Sequence, residues 1–176
     1  MMENNSAFNS LVFTTNRLEA FKLDSLVLSS LKSDLITSIP SLLTPAVVQS
    51  LPSHFQNINI QGDADSWLAK MMSESHLFAV CLKDSMSIIG FIFIYEADDS
   101  TANLGYLLGE AFWHKGYGSE LLIGLLETCQ NRKLVKKLIA GVEADNLASS
   151  KLLQKVGFVA GKEGENGVTF YEYKVL

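Results

Sequence analysis

The sequence predicts a mixed α/β (α+β) fold: one domain built on a partly antiparallel sheet of about seven strands with helices packed against it. Three observations carry this. The chain has 176 residues, 48% of them apolar and 19% charged, which suits one self-sufficient core. Three apolar, β-rich segments separated by short polar turns occupy 77–108, the pattern of an antiparallel meander. On both sides of the meander the apolar spacing changes to the helical period.

The elements follow in order. Residues 18–23 alternate loosely and form a first strand. Asp24 is placed to N-cap a helix over 25–38. Pro40, Pro45 and Pro52, followed by the polar run 56–62, predict an irregular excursion over 40–62, and neither flank could make a core alone. Asp63 opens a helix over 63–74 whose Ala64, Trp67, Leu68, Met71 and Met72 fall on one face, the spacing of a core stripe. Strands are expected at 77–82, 87–95 and 101–108, turned by Lys83-Asp84-Ser85 and Asp98-Asp99-Ser100. The second is nearly continuous in apolar residues, as a strand covered on both faces should be. Leu121, Leu122, Leu125, Leu126 and Cys129 give a one-striped helix over 116–131. A strand at 136–143 follows. A helix then starts at Asp145 or Asn146, runs to about Val156 and stops at Gly157, a C-cap. Strands at 158–161 and 168–175 finish the chain, which reads as one domain over 1–176 with 1–13 flexible.

Composition excludes disorder, collagen and a disulfide scaffold. Cys81 and Cys129 are too few for a disulfide framework or a cysteine-based zinc site, so no metal is expected and reducing cytoplasm is the natural compartment. The longest apolar run, 88–95, is far short of the roughly 20 residues of a membrane helix. The opening MMENNSAFNS has neither a basic nor an apolar region, so no signal peptide is expected. Lys plus Arg number 14 against 19 Asp plus Glu, a net charge of −5. That argues against duplex nucleic acid as a partner and allows an anionic ligand only where positive potential is local.

Such a place exists. In LGYLLGEAFWHKGYGSE, residues 104–120, a strand leads through Gly116-x-Gly118 into a helix. Glycines let backbone approach a ligand, and the first helical N–H groups are unpaired, so an anion is favoured there. Lys115 and His114 add positive charge. A tight strand-to-helix turn explains the same glycines, and spacing alone leaves both readings open. A P-loop is excluded, because G-x-x-x-x-G-K-[ST] is absent. A Rossmann fingerprint fails, because Leu121 stands where its third glycine belongs. In the second informative segment, 144–158, Asn146 and Ser149 lie three apart on a first helical turn. They either cap the helix or face a ligand together.

These segments together resemble the GNAT superfamily of acetyl-CoA-dependent N-acetyltransferases, and within it the bacterial Rim-type branch that acetylates protein N-terminal amines, ribosomal proteins among them. The matching residues are Thr15-Asn16-Arg17-Leu18, Gly105-Tyr106, Trp113 to Glu120, Asn146-x-x-Ser149 and Lys155-Val156-Gly157-Phe158. They stand in the expected order over about residues 14–175. The resemblance implies a three-layer fold with helices on both faces of the sheet and central strands that splay apart. It implies that the backbone around Leu107 and Leu108 pairs with the pantetheine arm of acetyl-CoA. Trp113, His114, Lys115, Gly116, Tyr117, Gly118 and Ser119 would hold the pyrophosphate, and Asn146 would bond pantetheine. Ser149 would stand near the thioester sulfur as the catalytic donor, because the position of the usual helical tyrosine holds Leu153. A common carboxylate position holds Asn103, which cannot accept a proton. Glu143, Glu163 and Glu165 are therefore the candidates for the base. The implied partner is an amine acceptor, a protein N-terminus or a small-molecule amine, its pocket shaped by the divergent stretch 40–62 and the helix 63–74, for a monomer or homodimer with no membrane or nucleic acid. A module that binds acyl-CoA without catalysis is the alternative from another class.

Overall fold

A computed structural model describes residues 6–176. Eight strands form one sheet: β1 (Val12–Thr14), β2 (Leu18–Lys22), β3 (His76–Leu82), β4 (Ile88–Glu96), β5 (Thr101–Leu108), β6 (Lys137–Glu143), β7 (Val159–Glu163) and β8 (Val168–Lys174). Their order across the sheet is β1-β2-β3-β4-β5-β6-β8-β7. Every neighbouring pair is antiparallel except β5 with β6. The helices are α1 (Ser25–Leu42), α2 (Pro45–Val48), α3 (Gln61–Glu74), α4 (Tyr117–Arg132) and α5 (Leu147–Lys155).

The helices cover both faces. On one face Leu121, Leu122 and Leu125 of α4 and Leu153 of α5 pack with Ile89, Ile92 and Ile94 of β4. On the other, Leu35 and Ile39 of α1 and Trp67, Leu68 and Met71 of α3 pack with Phe91 and Phe93 of the same strand. This double burial is why β4 reads as an almost unbroken apolar run. Each large side chain so buried contributes roughly 1.5–3 kcal/mol.

Three expectations are corrected. The sheet has one strand more than expected, because short β1 pairs Val12, Phe13 and Thr14 with Phe21, Ala20 and Glu19 of β2. A three-residue strand carries too little alternation to be seen in sequence. Within the predicted flexible segment 1–13, Phe8 and Leu11 are packed into the core, both 0% exposed; residues 1–5 lie outside the described residues. The excursion over 40–62 is largely structured. Helix α1 continues through Pro40 to Leu42, α2 follows with Pro45 in its first turn, and a 3-10 turn spans Ser53–Phe55. Pro40 removes one helical donor, at a cost of about 3 kcal/mol. The burial of Ile39, Leu42 and Leu43 beside it offsets that.

The parallel junction positions the site. Strand β5 pairs with β6 only through Thr101, Ala102 and Asn103. Beyond that, β6 continues its pairing with β8 to Glu143, while β5 stays on β4 to Leu108. The two central strands therefore splay apart from Leu104 onward. Gly90 permits the last part of the β4–β5 pairing, since a Cβ there would stand 2.1 Å from the Leu107 carbonyl oxygen.

Candidate active site

Two cavities open along the splay. One, about 470 Å³, runs from Leu107 and Leu108 past Trp113 to Ser119 and along the start of α5. The other, about 310 Å³, lies between β5 and the end of β6. They share Ser50, Leu51, Tyr106, Leu107, Asn146 and Ser149 as lining residues. The segment carrying Ser50 and Leu51 reaches α5 through a 3.3 Å bond from the Ser50 hydroxyl to Asp145. Ser50 and Leu51 belong to the stretch 40–62 that the sequence reading sets at the acceptor side without naming residues in it.

One end of the larger cavity is formed by the start of α4. Gly116 has φ +81°, a left-handed conformation favourable to glycine, and turns the chain into α4. Glu120 donates its N–H to the Gly116 carbonyl, which leaves the N–H groups of Tyr117, Gly118 and Ser119 without helical acceptors. Gly118 itself has no positive φ; it is needed for space, because a Cβ there would stand 2.8 Å from the Leu152 side chain. Nine of the ten residues expected at the coenzyme line this cavity: Leu107, Leu108, Trp113, His114, Gly116, Tyr117, Gly118, Ser119 and Asn146. Lys115 does not. Its ammonium donates 2.8 Å to the Ala111 carbonyl and sits 5.9 Å above the Phe112 ring.

The cation that braces the loop is Arg17. Its Nε donates to Glu120 at 2.6 Å, its backbone N–H donates to the same carboxylate at 2.7 Å, and one terminal nitrogen donates to the Lys115 carbonyl at 3.0 Å. Its guanidinium lies 4.2 Å from the Tyr117 ring centroid. Thr15 adds a 2.6 Å bond to Glu120. Burial pushes the Glu120 carboxyl up, but these Thr15 and Arg17 bonds outweigh it and hold the group below its ordinary range. Glu120, which would repel an anion at a helix start, is thereby held against β1 and β2. Arg17 stood in the sequence as part of the Thr15-to-Leu18 motif with no role; its partner lies 103 residues away, beyond any local signal.

Backbone direction along β5 follows from two bonds. The Gly109 N–H reaches the Ile89 carbonyl at 2.8 Å, and the Ala97 N–H reaches the Thr101 carbonyl at 2.9 Å. With the β4–β5 register, these put the main-chain groups of Leu107 onto β4. Those of Leu104, Tyr106 and Leu108 point into the splay. Of the two residues expected at the pantetheine arm, Leu107 thus has its main-chain groups taken up by β4, while the main-chain groups of Leu108, like those of Tyr106, face the splay. The Leu108 carbonyl is already occupied by the Trp113 indole N–H, at 2.8 Å, which pins the loop to the strand end.

At the shared wall, Asn146 N-caps α5 by accepting from the Ser149 N–H at 3.1 Å. The capping reading holds for Asn146, while the Ser149 hydroxyl makes no bond to the backbone. The Tyr106 hydroxyl is buried with no hydrogen-bond partner. Burial pushes its pKa up, and the nearby Ser149 hydroxyl pulls it back without forming a well-aligned bond. Leu153 is fully buried in the core. Of the three candidate bases, only Glu143 lines a cavity; Glu163 and Glu165 are exposed on β7 and the turn after it. Among the described residues no group of three His, Cys, Asp or Glu side chains could hold a metal, and no helix is long and apolar enough to cross a membrane.

The family model described as "Acetyltransferase (GNAT) domain" matches residues 26–159. A curated relative, an uncharacterized N-acetyltransferase, YnaD, of Bacillus subtilis, is 25% identical over 104 residues, covering 58% of this chain and 61% of that protein. The match thus spans less than two thirds of the relative. Among solved structures, a GNAT-family acetyltransferase from Bacillus anthracis superposes with TM-score 0.75 at 17% identity, covering 94% of this chain and 99% of that one. RimL, a ribosomal L7/L12 α-N-protein acetyltransferase in complex with coenzyme A, superposes with TM-score 0.70 at 18% identity over 93% and 98% of the two chains. At such identities the superpositions show the shared fold.

Proposed function

Because the chain belongs to the GNAT acetyltransferase family, we propose that its two cavities hold acetyl-CoA and a primary amine, and that it transfers the acetyl group to the amine, a protein N-terminal α-amine in the first instance. The observation that carries this is the wall shared by the cavities. It sets the Ser149 hydroxyl and the outward main chain of Tyr106 between the helix start at Gly116 and the smaller cavity. Acetyl-CoA fits the larger cavity: unpaired N–H groups at 117–119 and the close approach allowed by Gly116 and Gly118 suit a pyrophosphate. The Asn146 cap leaves Nδ2 as a donor for the pantetheine arm.

The coenzyme supplies an acyl thioester open to attack by a neutral amine. Glu143, at the mouth of the smaller cavity, takes the proton of the incoming ammonium, directly or through water. The Tyr106 and Leu108 N–H groups that face the splay stabilise negative charge on the acyl oxygen. As nitrogen bonds to the acyl carbon it gives up a second proton to water, the carbon–sulfur bond breaks, and the Ser149 hydroxyl hydrogen-bonds to the departing thiolate, so that amide and coenzyme A thiolate are the products. An α-amine, with pKa near 8, needs less help from a base than lysine, with pKa near 10.4. Glu143 is solvent-exposed, which suits the easier task. RimL supports the α-amine by likeness of fold. Cys81 and Cys129 are buried thiols whose pKa values burial pushes to about 11 and about 12, so neither is poised as a nucleophile.

The test is release of coenzyme A thiol from acetyl-CoA in the presence of a short peptide with a free N-terminus, with mass spectrometry of the peptide. One acetyl group on the α-amine per thiol released is the expected result. Thiol release with an unmodified peptide, or acetylation confined to lysine, refutes it.

A further inference from the structure

The smaller cavity selects what carries the amine. Its wall includes Leu51, Pro52, Phe55, Phe93, Val142 and Val168, and its only acidic or basic side chain is Glu143. Phe55 and Phe93 are 5% and 3% exposed and meet edge to face with centroids 5.4 Å apart, so the aromatic end is a fixed surface. Glu143 stands at the end of β6 and lines this cavity together with Ser149.

Building on the acetyl-transfer reading, we infer that the acceptor is a primary amine on a carbon bearing a large apolar side chain, as in an N-terminal leucine, methionine or phenylalanine. One carboxylate matches one ammonium. A second positive charge, as in a polyamine or an aminoglycoside, would find no second carboxylate in this lining, only the neutral polar groups of Ser50, Tyr95, Tyr106, Asn146 and Ser149 beside the apolar wall, and would lose hydration there. A carboxylate or phosphate near the amine would meet Glu143 with like charge. An apolar side chain instead displaces water from the aromatic wall. The cavity volume, about 310 Å³, suits one residue and not an extended chain. One missing apolar group in such a pocket costs roughly 10- to 200-fold in kcat/KM.

The experiment measures kcat/KM at saturating acetyl-CoA for peptides that differ only in their first residue, Leu, Phe, Ser or Asp, alongside spermidine and kanamycin. Acetyl-CoA binding is followed separately by calorimetry. The Leu or Phe peptide is expected to exceed the Ser and Asp peptides, spermidine and kanamycin by at least tenfold. Leu51→Glu, a half-buried wall position, should erase that preference and raise spermidine relative to leucine. Preference for spermidine, kanamycin or the Asp peptide overturns the inference, as does a Leu51→Glu enzyme that keeps the original ranking. If acetyl-CoA binds but no amine is acetylated, the acceptor inference falls and the coenzyme site stands. If acetyl-CoA does not bind, both fall.

Discussion

Replacing Ser149 by alanine separates chemistry from architecture. The backbone of Ser149 is part of the α5 cap, through its N–H to Asn146 Oδ1 at 3.1 Å, and that bond survives the substitution. The hydroxyl has no backbone partner to lose. Alanine is a better helix former than serine by a few tenths of a kcal/mol, so stability should be unchanged or slightly raised. If the hydroxyl meets the departing thiolate, its loss is felt mainly as charge develops on sulfur. The expected fall in kcat is roughly tenfold to a thousandfold, the scale of one lost donor, with acetyl-CoA affinity nearly intact. Asn146→Ala is the counterpart. It removes the cap at a cost of about 1 kcal/mol, which lowers the melting temperature by about 2–4 °C in a domain of this size. Steady-state kinetics, calorimetry and thermal melting on the same preparations decide. A Ser149→Ala protein that melts lower but turns over like wild type would make Ser149 a structural residue and refute its assignment to the sulfur.

Gly118→Val should weaken acetyl-CoA binding at least tenfold while the far-UV spectrum stays native, because its Cβ would already crowd Leu152 at 2.8 Å and its branches extend over the start of α4; titration calorimetry checks it. Arg17→Ala should cost less than about 1 kcal/mol of stability, since its side chain is 41% exposed and such pairs are screened. It should nonetheless raise the acetyl-CoA Kd severalfold as Glu120 is released toward the helix start. The Glu120 carboxyl is held below its ordinary value of 4.5. Its bracing is therefore fully present above pH 4.5 and lost as pH falls through the folded-state value. The melting temperature followed downward from pH 6 should fall in that window in wild type, and Glu120→Gln should flatten the change.

The sheet and its helices were legible because their signals are local. The double-sided burial of β4 is written in its run from Ile88 to Ile94, and α4 in its leucine stripe. The loop Trp113 to Ser119 and the pair Asn146 and Ser149 were legible for the same reason, as glycines and a cap at helix starts. What escaped is set by distant contacts. Pro40 lies inside α1 because Ile39 and Leu42 are buried by tertiary packing. Lys115, the cation beside the glycines, turns away to Ala111, and Arg17 from the far edge of the sheet takes over. The direction of each β5 carbonyl depends on pairing parity with β4, which no spacing in β5 reveals.

Binding of acetyl-CoA measured by thermal melting tests the central claim most directly. The claim is that the helix start at Gly116 and the splay between β5 and β6 form a coenzyme site. At roughly 100 times its dissociation constant, acetyl-CoA should stabilise the protein by about 2.7 kcal/mol, a rise of about 5–11 °C for a chain of this length. Gly118→Val should lose most of that rise. A melting temperature unchanged at millimolar acetyl-CoA would contradict the account.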